Sequence, residues 1–168
     1  MENEGLGTNA EIAGVLETYA DMVYKLALSR CKNPSDAEDI FQEVFLRYIS
    51  ANVAFESEEH RKAWLLRVTL NCGNKLFTSA WTRHRAPMDE QSLSAAPAPE
   101  AGDEAGVLAA VQKLPAAYRT VVHLFYYEDM SIKQISGILA KKEGTIKSQL
   151  NRARALLKKE LKGEFDNV

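Results

Sequence analysis

The chain has 168 residues, a formal net charge of -2 and 46% hydrophobic residues, which fits one ordinary domain or two small ones. No run approaches 18 apolar residues and the N-terminal segment 1–11 is acidic, so we expect no membrane insertion and no secretory signal. Cys31 and Cys72 are isolated from each other, and neither has a histidine nearby at the spacing of metal ligands. We therefore expect reduced thiols in a cytoplasmic protein, and no metal or cofactor.

The small net charge hides four blocks of alternating sign. Residues 1–56 carry 4 basic and 10 acidic side chains, and residues 57–85 carry 6 and 2. Residues 86–104 carry 0 basic and 5 acidic side chains, whereas residues 105–168 carry 11 and 6. Two separated basic blocks can grip a polyanion at two places while the acidic blocks face other partners.

Apolar residues at helical spacing predict a long first helix from Ala10 to Cys31, which Asn33-Pro34 ends. Ser35 and Glu38 have the spacing of a capping box, so we expect a second helix to begin there. The apolar residues of the second helix form a face wide enough for a domain core.

Four residues of the second helix lie opposite this apolar face at 3.6 residues per turn. They are Asp39, Gln42, Glu43 and Leu46. Two interpretations are open: an ordinary solvated acidic face, or a docking surface in which an apolar anchor is ringed by polar groups.

Residues 50–59 interrupt the helical pattern and form a loop that contains Asn52 and Phe55. A third helix follows, from about Ser57 or Glu58 to Trp81, in which Trp64 lies among polar and cationic residues. These are Arg61, Lys62, Arg67, Asn71, Asn74 and Lys75. Interleaved aromatic and cationic groups suit single-stranded nucleic acid, although a tryptophan is also a common core residue.

Residues 86–106 contain most of the prolines and no basic residue, which predicts an extended acidic linker. The fold class expected is therefore all-α, with two small helical domains at 10–85 and 107–163 joined by this linker. No alternating pattern predicts a strand.

The segment 131–161 has the pattern of a helix-turn-helix. Ser131 and Gln134 form a capping box for the first helix, and the second helix carries one narrow apolar stripe. Opposite the stripe lie Lys147, Ser148, Asn151 and Arg152. Such side chains can contact base edges and phosphates in a major groove, but a basic helix face can also be merely solvated.

No catalytic site is predicted. His60, His84 and His123 lack serine, cysteine or carboxylate partners at a recognisable spacing, and there is no glycine-rich phosphate loop. We therefore expect a protein that is not an enzyme.

Together these segments resemble the bacterial RNA polymerase sigma factors of the extracytoplasmic-function (ECF) group. The segment DAEDIFQEVFL at 36–46 is similar to the family's region 2.2, and AWLLRV at 63–68 with Asn71 is similar to regions 2.3 and 2.4. Leu114-Pro115, Tyr118-Arg119, Ser131, Ile135 and TIKSQLNRAR at 145–154 are similar to region 4. The resemblance covers nearly the whole chain.

The resemblance implies three binding surfaces and no catalysis. Core RNA polymerase would be contacted through the coiled coil of its largest subunit by Asp39, Gln42, Glu43 and Leu46. Opening of the promoter near position minus ten, with capture of a flipped base, would use Asn52, Phe55, Trp64, Arg67, Asn71, Asn74 and Lys75. The minus-thirty-five element would be read by Lys141, Lys142, Thr145, Lys147, Ser148, Asn151, Arg152 and Arg154. Region 4 would also contact the polymerase flap, and an anti-sigma factor is an expected partner.

The chain departs from the family pattern between the two region 4 helices. Where the family often has a glycine, an apolar residue and a capping Ser or Asp, this chain has Ala140, Lys141 and Lys142. We expect the second helix to lack a side-chain N-cap and the two lysines to compensate by contacting phosphates. The alternative function is a helix-turn-helix regulator that is not a polymerase subunit, which would have no use for the outward face of the second helix.

Overall fold

The computed structural model describes residues 9–51, 53–83 and 103–165, and within these ranges all regular structure is helical. The chain divides into two compact units, residues 1–95 and 96–168. The first unit contains α1 (Asn9–Cys31), α2 (Pro34–Ser50) and α3 (Glu58–Arg83). The second contains α4 (Asp103–Gln112), α5 (Ala116–Val122), a π-helical turn (His123–Tyr127), α6 (Ile132–Leu139) and α7 (Glu143–Phe165). The predicted all-α, two-domain fold class is confirmed.

The three helices of the first unit pack against one another around a single apolar core. The periodic apolar residues of each helix supply it, because positions three and four apart lie on one face of a helix. The fully buried side chains include Val23, Leu26, Ala27, Ala37, Val44, Leu65 and Leu66. This core fixes which faces of α2 and α3 remain outside.

The junction between α1 and α2 corrects the predicted start of the second helix. The N-cap is Asn33, in extended conformation, and its Oδ1 accepts hydrogen bonds from the backbone N–H groups of Ser35 at 2.8 Å and Asp36 at 3.4 Å. Pro34 occupies the first helical position, where its missing N–H costs nothing and its fixed φ suits the helix. The predicted Ser35–Glu38 capping box is therefore wrong, because Ser35 already lies inside the helix.

The second unit packs α4, α5, α6 and α7 around a separate core that includes Leu124, Ile135, Ile146, Leu150 and Ala153. Helix α4 begins at Asp103, so the last four residues of the predicted linker 86–106 are helical. The remainder of that linker, apart from these four residues, lies outside the described residues. Arg119 is buried in this unit and its Nη1 donates a 2.6 Å hydrogen bond to the carbonyl of Leu114.

In the helix-turn-helix, α6 begins with the predicted capping box at Ser131. The Ser131 hydroxyl accepts from the Gln134 N–H at 3.1 Å, and the Ser131 N–H donates to the Gln134 side chain at 2.9 Å. Helix α6 ends at Leu139, and its C-cap Ala140 has φ 53° and ψ 44° in the left-handed region. The N–H groups of Ala140 and Lys141 both donate to the Ser136 carbonyl, which closes the helix.

Candidate functional site

The outward face of α2 carries the four residues expected there. Asp39, Gln42, Glu43 and Leu46 are all exposed, and Leu46 keeps 59% of its accessible surface. At 100° per residue they occupy a sector of about 100° that faces away from the core. Glu43 is paired with Arg47, whose Nε lies 2.9 Å from Oε1. The result is an apolar anchor within a polar, mainly acidic surface, which we call the α2 face.

A further carboxylate lies one turn before this surface. Burial, with a smaller effect from neighbouring Asp39, raises the pKa of Asp36. Asp36 lies in the first turn of α2, where the helix dipole favours a carboxylate.

An aromatic cluster lies where the loop after α2 meets α3. The rings of Tyr48 and Phe55 are stacked with centroids 5.8 Å apart and an interplanar angle of 9°. Trp64 meets both rings edge-on, at 5.9 Å and 5.8 Å. Phe55 and Trp64 are partly exposed, so Trp64 is a wall of an accessible cluster and not a fully buried core residue. Asn52, also expected at this site, lies outside the described residues.

A polar stripe continues from the cluster along α3. Arg67, Asn71, Asn74 and Lys75 are exposed, and with Trp64 they fall within a sector of about 100° on the helix. The stripe is about 16 Å long at 1.5 Å per residue. The amide oxygen of Asn74 accepts a 2.5 Å hydrogen bond from Arg30 of α1.

Sequence patterns did not identify the residues that support the aromatic cluster. By its sequence Arg61 is one of several cations of the third helix, but its guanidinium carbon lies 5.2 Å from the Phe55 ring centroid. Glu58 binds both Arg61 and Tyr19 of α1. The i, i+3 spacing of Glu58 and Arg61 is a signal for their ion pair, whereas the contact with Tyr19 depends on tertiary packing.

In the helix-turn-helix, four of the eight expected DNA-binding residues line one concave surface. They are Lys142, Thr145, Ser148 and Arg152, and they are joined there by Tyr118, Gly144 and Gln149. Tyr118 comes from α5 and reaches this pocket through tertiary packing, which no local pattern predicts. The combination offers cations, hydroxyls and an amide, which are groups that contact phosphates and base edges.

The other four expected residues lie elsewhere on the helix-turn-helix. Three of them are exposed: Lys141 in the turn between the helices, and Lys147 and Asn151 on α7. Arg154 lies on the flank of α7, where its Nε donates a 2.6 Å hydrogen bond to the hydroxyl of Tyr126. The eight residues therefore form a broad cationic surface around one pocket rather than one continuous line.

Among the described residues no group of histidine, cysteine, aspartate or glutamate side chains could hold a metal ion. None of the helices in the described ranges is long and apolar enough to cross a membrane.

The first unit thus presents an exposed, mainly acidic helix face, and the second unit is a helix-turn-helix with a cationic pocket. Two family models match the chain: sigma-70 region 2 over residues 15–83 and sigma-70 region 4 over residues 105–157.

Curated relatives give a narrower assignment. The chain is 28% identical to the ECF RNA polymerase sigma factor SigW of Bacillus subtilis, over 93% of this chain and 91% of SigW. It is 29% identical to SigM of the same organism, over 86% of this chain and 91% of SigM. It is 30% identical to SigL of Mycobacterium tuberculosis, over 88% of this chain and 87% of SigL. The chain belongs to the ECF RNA polymerase sigma factors.

Solved structures share the fold. The sigma factor RpoE of Bartonella quintana, crystallised with the anti-sigma factor NepR, matches with a TM-score of 0.71 and 24% identity over 90% of this chain and 97% of RpoE. CnrH, solved with the cytosolic domain of CnrY, matches with a TM-score of 0.66 and 19% identity over 94% and 91%.

The protein therefore binds core RNA polymerase and promoter DNA and directs promoter-specific transcription initiation. This confirms the function expected from the sequence, and the alternative of a regulator that acts without polymerase is not favoured.

Proposed function

We propose that the α2 face is the surface that docks on the coiled coil of the largest polymerase subunit. The observation that carries this assignment is the exposure of Leu46 among Asp39, Gln42 and Glu43. Interfaces concentrate binding energy in a few desolvated anchors, while surrounding polar groups set orientation and association rate. Leu46 is also the most exposed large hydrophobic side chain among the described residues, at 59%.

The aromatic cluster and the α3 stripe form the minus-ten surface in this proposal. Extruding a base costs a few kcal/mol of stacking, which a pocket and a cationic track can offset. Phe55 and Trp64 supply accessible ring surface, and Arg67, Asn71, Asn74 and Lys75 lie beside the path of the strand backbone. Asn52 is assigned to the same surface on the resemblance alone.

The helix-turn-helix pocket is the minus-thirty-five surface. We assign base contacts to Ser148 and Arg152 and phosphate contacts to Lys142 and Thr145, since these four residues line one concavity. Lys141, Lys147, Asn151 and Arg154 belong to the surrounding cationic surface, where contacts to the DNA backbone position the helix.

Two further partners complete the proposal. The second unit contacts the polymerase flap, and an anti-sigma factor binds the free chain. The solved complexes of RpoE with the anti-sigma factor NepR and of CnrH with the cytosolic domain of CnrY support the second assignment. The protein catalyses no covalent reaction, and it acts in the cytoplasm because it works as a subunit of polymerase on the chromosome.

Reconstitution with purified core polymerase and a promoter library tests the polymerase assignment. We expect Asp39→Lys combined with Glu43→Lys to lower the affinity for core polymerase by about 10-fold or more, and specific transcripts to fall accordingly. Glu11→Lys combined with Glu17→Lys is the matched control, because both are exposed carboxylates on α1. Equal effects of the α2 and α1 reversals would contradict the assignment of the α2 face.

The minus-thirty-five assignment is tested on duplex DNA that carries an element selected in the same library. Arg152→Ala should weaken binding by about 5- to 150-fold, the range for loss of a base contact of about 1–3 kcal/mol. The loss should be largest for the selected element and small for unrelated DNA. Uniform weakening on all sequences would reassign Arg152 to a phosphate contact.

A further inference from the structure

The loop that carries Phe55 is tied to α1 through one carboxylate. The Tyr19 hydroxyl of α1 donates a 2.6 Å hydrogen bond to Oε2 of Glu58 at the start of α3. Burial, followed by this hydrogen bond, raises the pKa of Tyr19 to about 12. The hydroxyl is therefore protonated at every working pH and remains a donor.

The second oxygen of Glu58 continues the connection towards the loop. Glu58 Oε1 accepts from Nη1 of Arg61, and the Arg61 guanidinium carbon lies 5.2 Å from the Phe55 ring centroid. Burial alone would lower the pKa of Arg61, but hydrogen bonds to Glu58 and Tyr48 outweigh it and the pKa is raised. A cation held in one place over an aromatic ring attracts the ring and restricts its movement.

The backbone beside Phe55 is fixed as well. The N–H of Glu56 donates to Nδ1 of His60 at 3.2 Å, and the N–H of His60 donates to the Ser57 hydroxyl at 3.1 Å. The His60 ring also meets Phe55 edge-on at 5.3 Å. Phe55 is thus held from α2 by Tyr48 and from α3 by His60, Trp64 and Arg61.

We propose that Tyr19, Glu58 and Arg61 form a bracket that positions Phe55 for capture of the extruded promoter base. This inference rests on the proposed minus-ten role of the aromatic cluster. A base that enters a preformed pocket does not have to order the loop on arrival, and the ordering cost is then absent from the binding free energy. The three bracket residues act through Phe55 and are positioning residues.

The test uses the holoenzyme and a single-stranded oligonucleotide with the non-template minus-ten sequence of a promoter selected from the library. Tyr19→Phe removes only the hydroxyl, and Arg61→Met keeps length but removes the cation. We expect each to weaken oligonucleotide binding by about 3- to 10-fold, with affinity for core polymerase unchanged. Asp21→Asn is the control, since Asp21 forms an exposed ion pair with Lys25 on α1.

Double variants with Phe55→Ala separate positioning from general stability. If the bracket acts through Phe55, Tyr19→Phe and Arg61→Met have no further effect once the ring is gone. Equal losses in the wild-type and Phe55→Ala backgrounds would overturn the bracket. The bracket would also be overturned if Tyr19→Phe and Arg61→Met both bound the oligonucleotide with wild-type affinity while Phe55→Ala bound it weakly. Wild-type affinity of Phe55→Ala would instead refute base capture by Phe55, and the bracket with it.

Discussion

Arg154 of α7 is held by Tyr126 of the π-helical turn. Its Nε donates to the tyrosine hydroxyl at 2.6 Å, and its guanidinium carbon lies 5.6 Å from the Tyr126 ring centroid and 5.5 Å from that of Phe125. The same guanidinium reaches Asn151 through Nη1 at 3.3 Å. Arg154 therefore connects α7 to the π-helical turn, in addition to its place on the cationic surface.

Replacing Arg154 should consequently affect folding as well as DNA binding. We expect Arg154→Ala to lower the free energy of unfolding of the second unit by about 1 kcal/mol, through loss of the hydrogen bond and the cation–π contacts. Urea unfolding of the full chain measures the change. Arg152→Ala is the matched comparison, and we expect it to leave stability within about 0.5 kcal/mol. Equal destabilisation by both variants would contradict the structural role of Arg154.

The left-handed conformation of Ala140 leads to a stabilising substitution. A residue with a Cβ is sterically strained at φ 53°, whereas glycine adopts this conformation without a steric penalty. Part of that gain is lost to the greater freedom of glycine in the unfolded chain. We expect Ala140→Gly to raise the free energy of unfolding of the second unit by about 0.5–1 kcal/mol in the same urea experiment.

The control for this prediction is a glycine at an ordinary helical position. Ala109 is exposed within α4, and Ala109→Gly should destabilise by about 1 kcal/mol. We therefore expect the free energy of unfolding to rise in Ala140→Gly and to fall in Ala109→Gly. Destabilisation by both would mean that Ala140 is not strained in solution.

Lys141 and Lys142 lie between the helices of the helix-turn-helix. Lys142 is the residue before α7, and its carbonyl accepts the first helical hydrogen bond, from the Ile146 N–H at 3.2 Å. Its side chain cannot cap the helix, because a lysine ammonium group has no hydrogen-bond acceptor. We expect both ammonium groups to contact phosphates instead. Replacing both by alanine should reduce the slope of log affinity against log salt by about 1.8, at 0.9 per phosphate contact.

Binding to the selected minus-thirty-five duplex over a series of salt concentrations measures this slope. Lys25→Ala removes a cation from the first unit and should leave the slope unchanged. An unaltered slope in the double lysine variant would exclude phosphate contacts by these residues.

The corrected start of α2 predicts unequal effects of two neighbouring substitutions. Asn33→Ala removes the acceptor for the N–H groups of Ser35 and Asp36, which should lower the free energy of unfolding of the first unit by about 1 kcal/mol. Ser35→Ala should change it by less than about 0.5 kcal/mol, because the serine is already inside the helix. Urea unfolding distinguishes the two, and the reverse order of effects would restore the Ser35–Glu38 capping box.

Much of the molecule follows from local patterns in the sequence. Apolar residues at helical spacing determine the helices and their buried faces, since the 3.6-residue period places them on one side. The same period determined that Leu46 and its acidic neighbours face outward. The capping box at Ser131 was equally predictable, because both of its partners lie within four residues.

Other features depend on contacts between residues distant in sequence or on a choice between local alternatives. Tyr19 meets Glu58 across 39 positions and Arg154 meets Tyr126 across 28, and no helical period specifies either pair. At the start of α2, Asn33 and Ser35 were both acceptable caps by residue type, and the extended backbone of Asn33 with proline next to it decided between them. The sequence by itself determined the helices, their outward faces and the resemblance to sigma factors. Tertiary packing alone decided which side chains hold Phe55 in place and that Tyr118 of α5 joins the residues of α7 in the region 4 pocket.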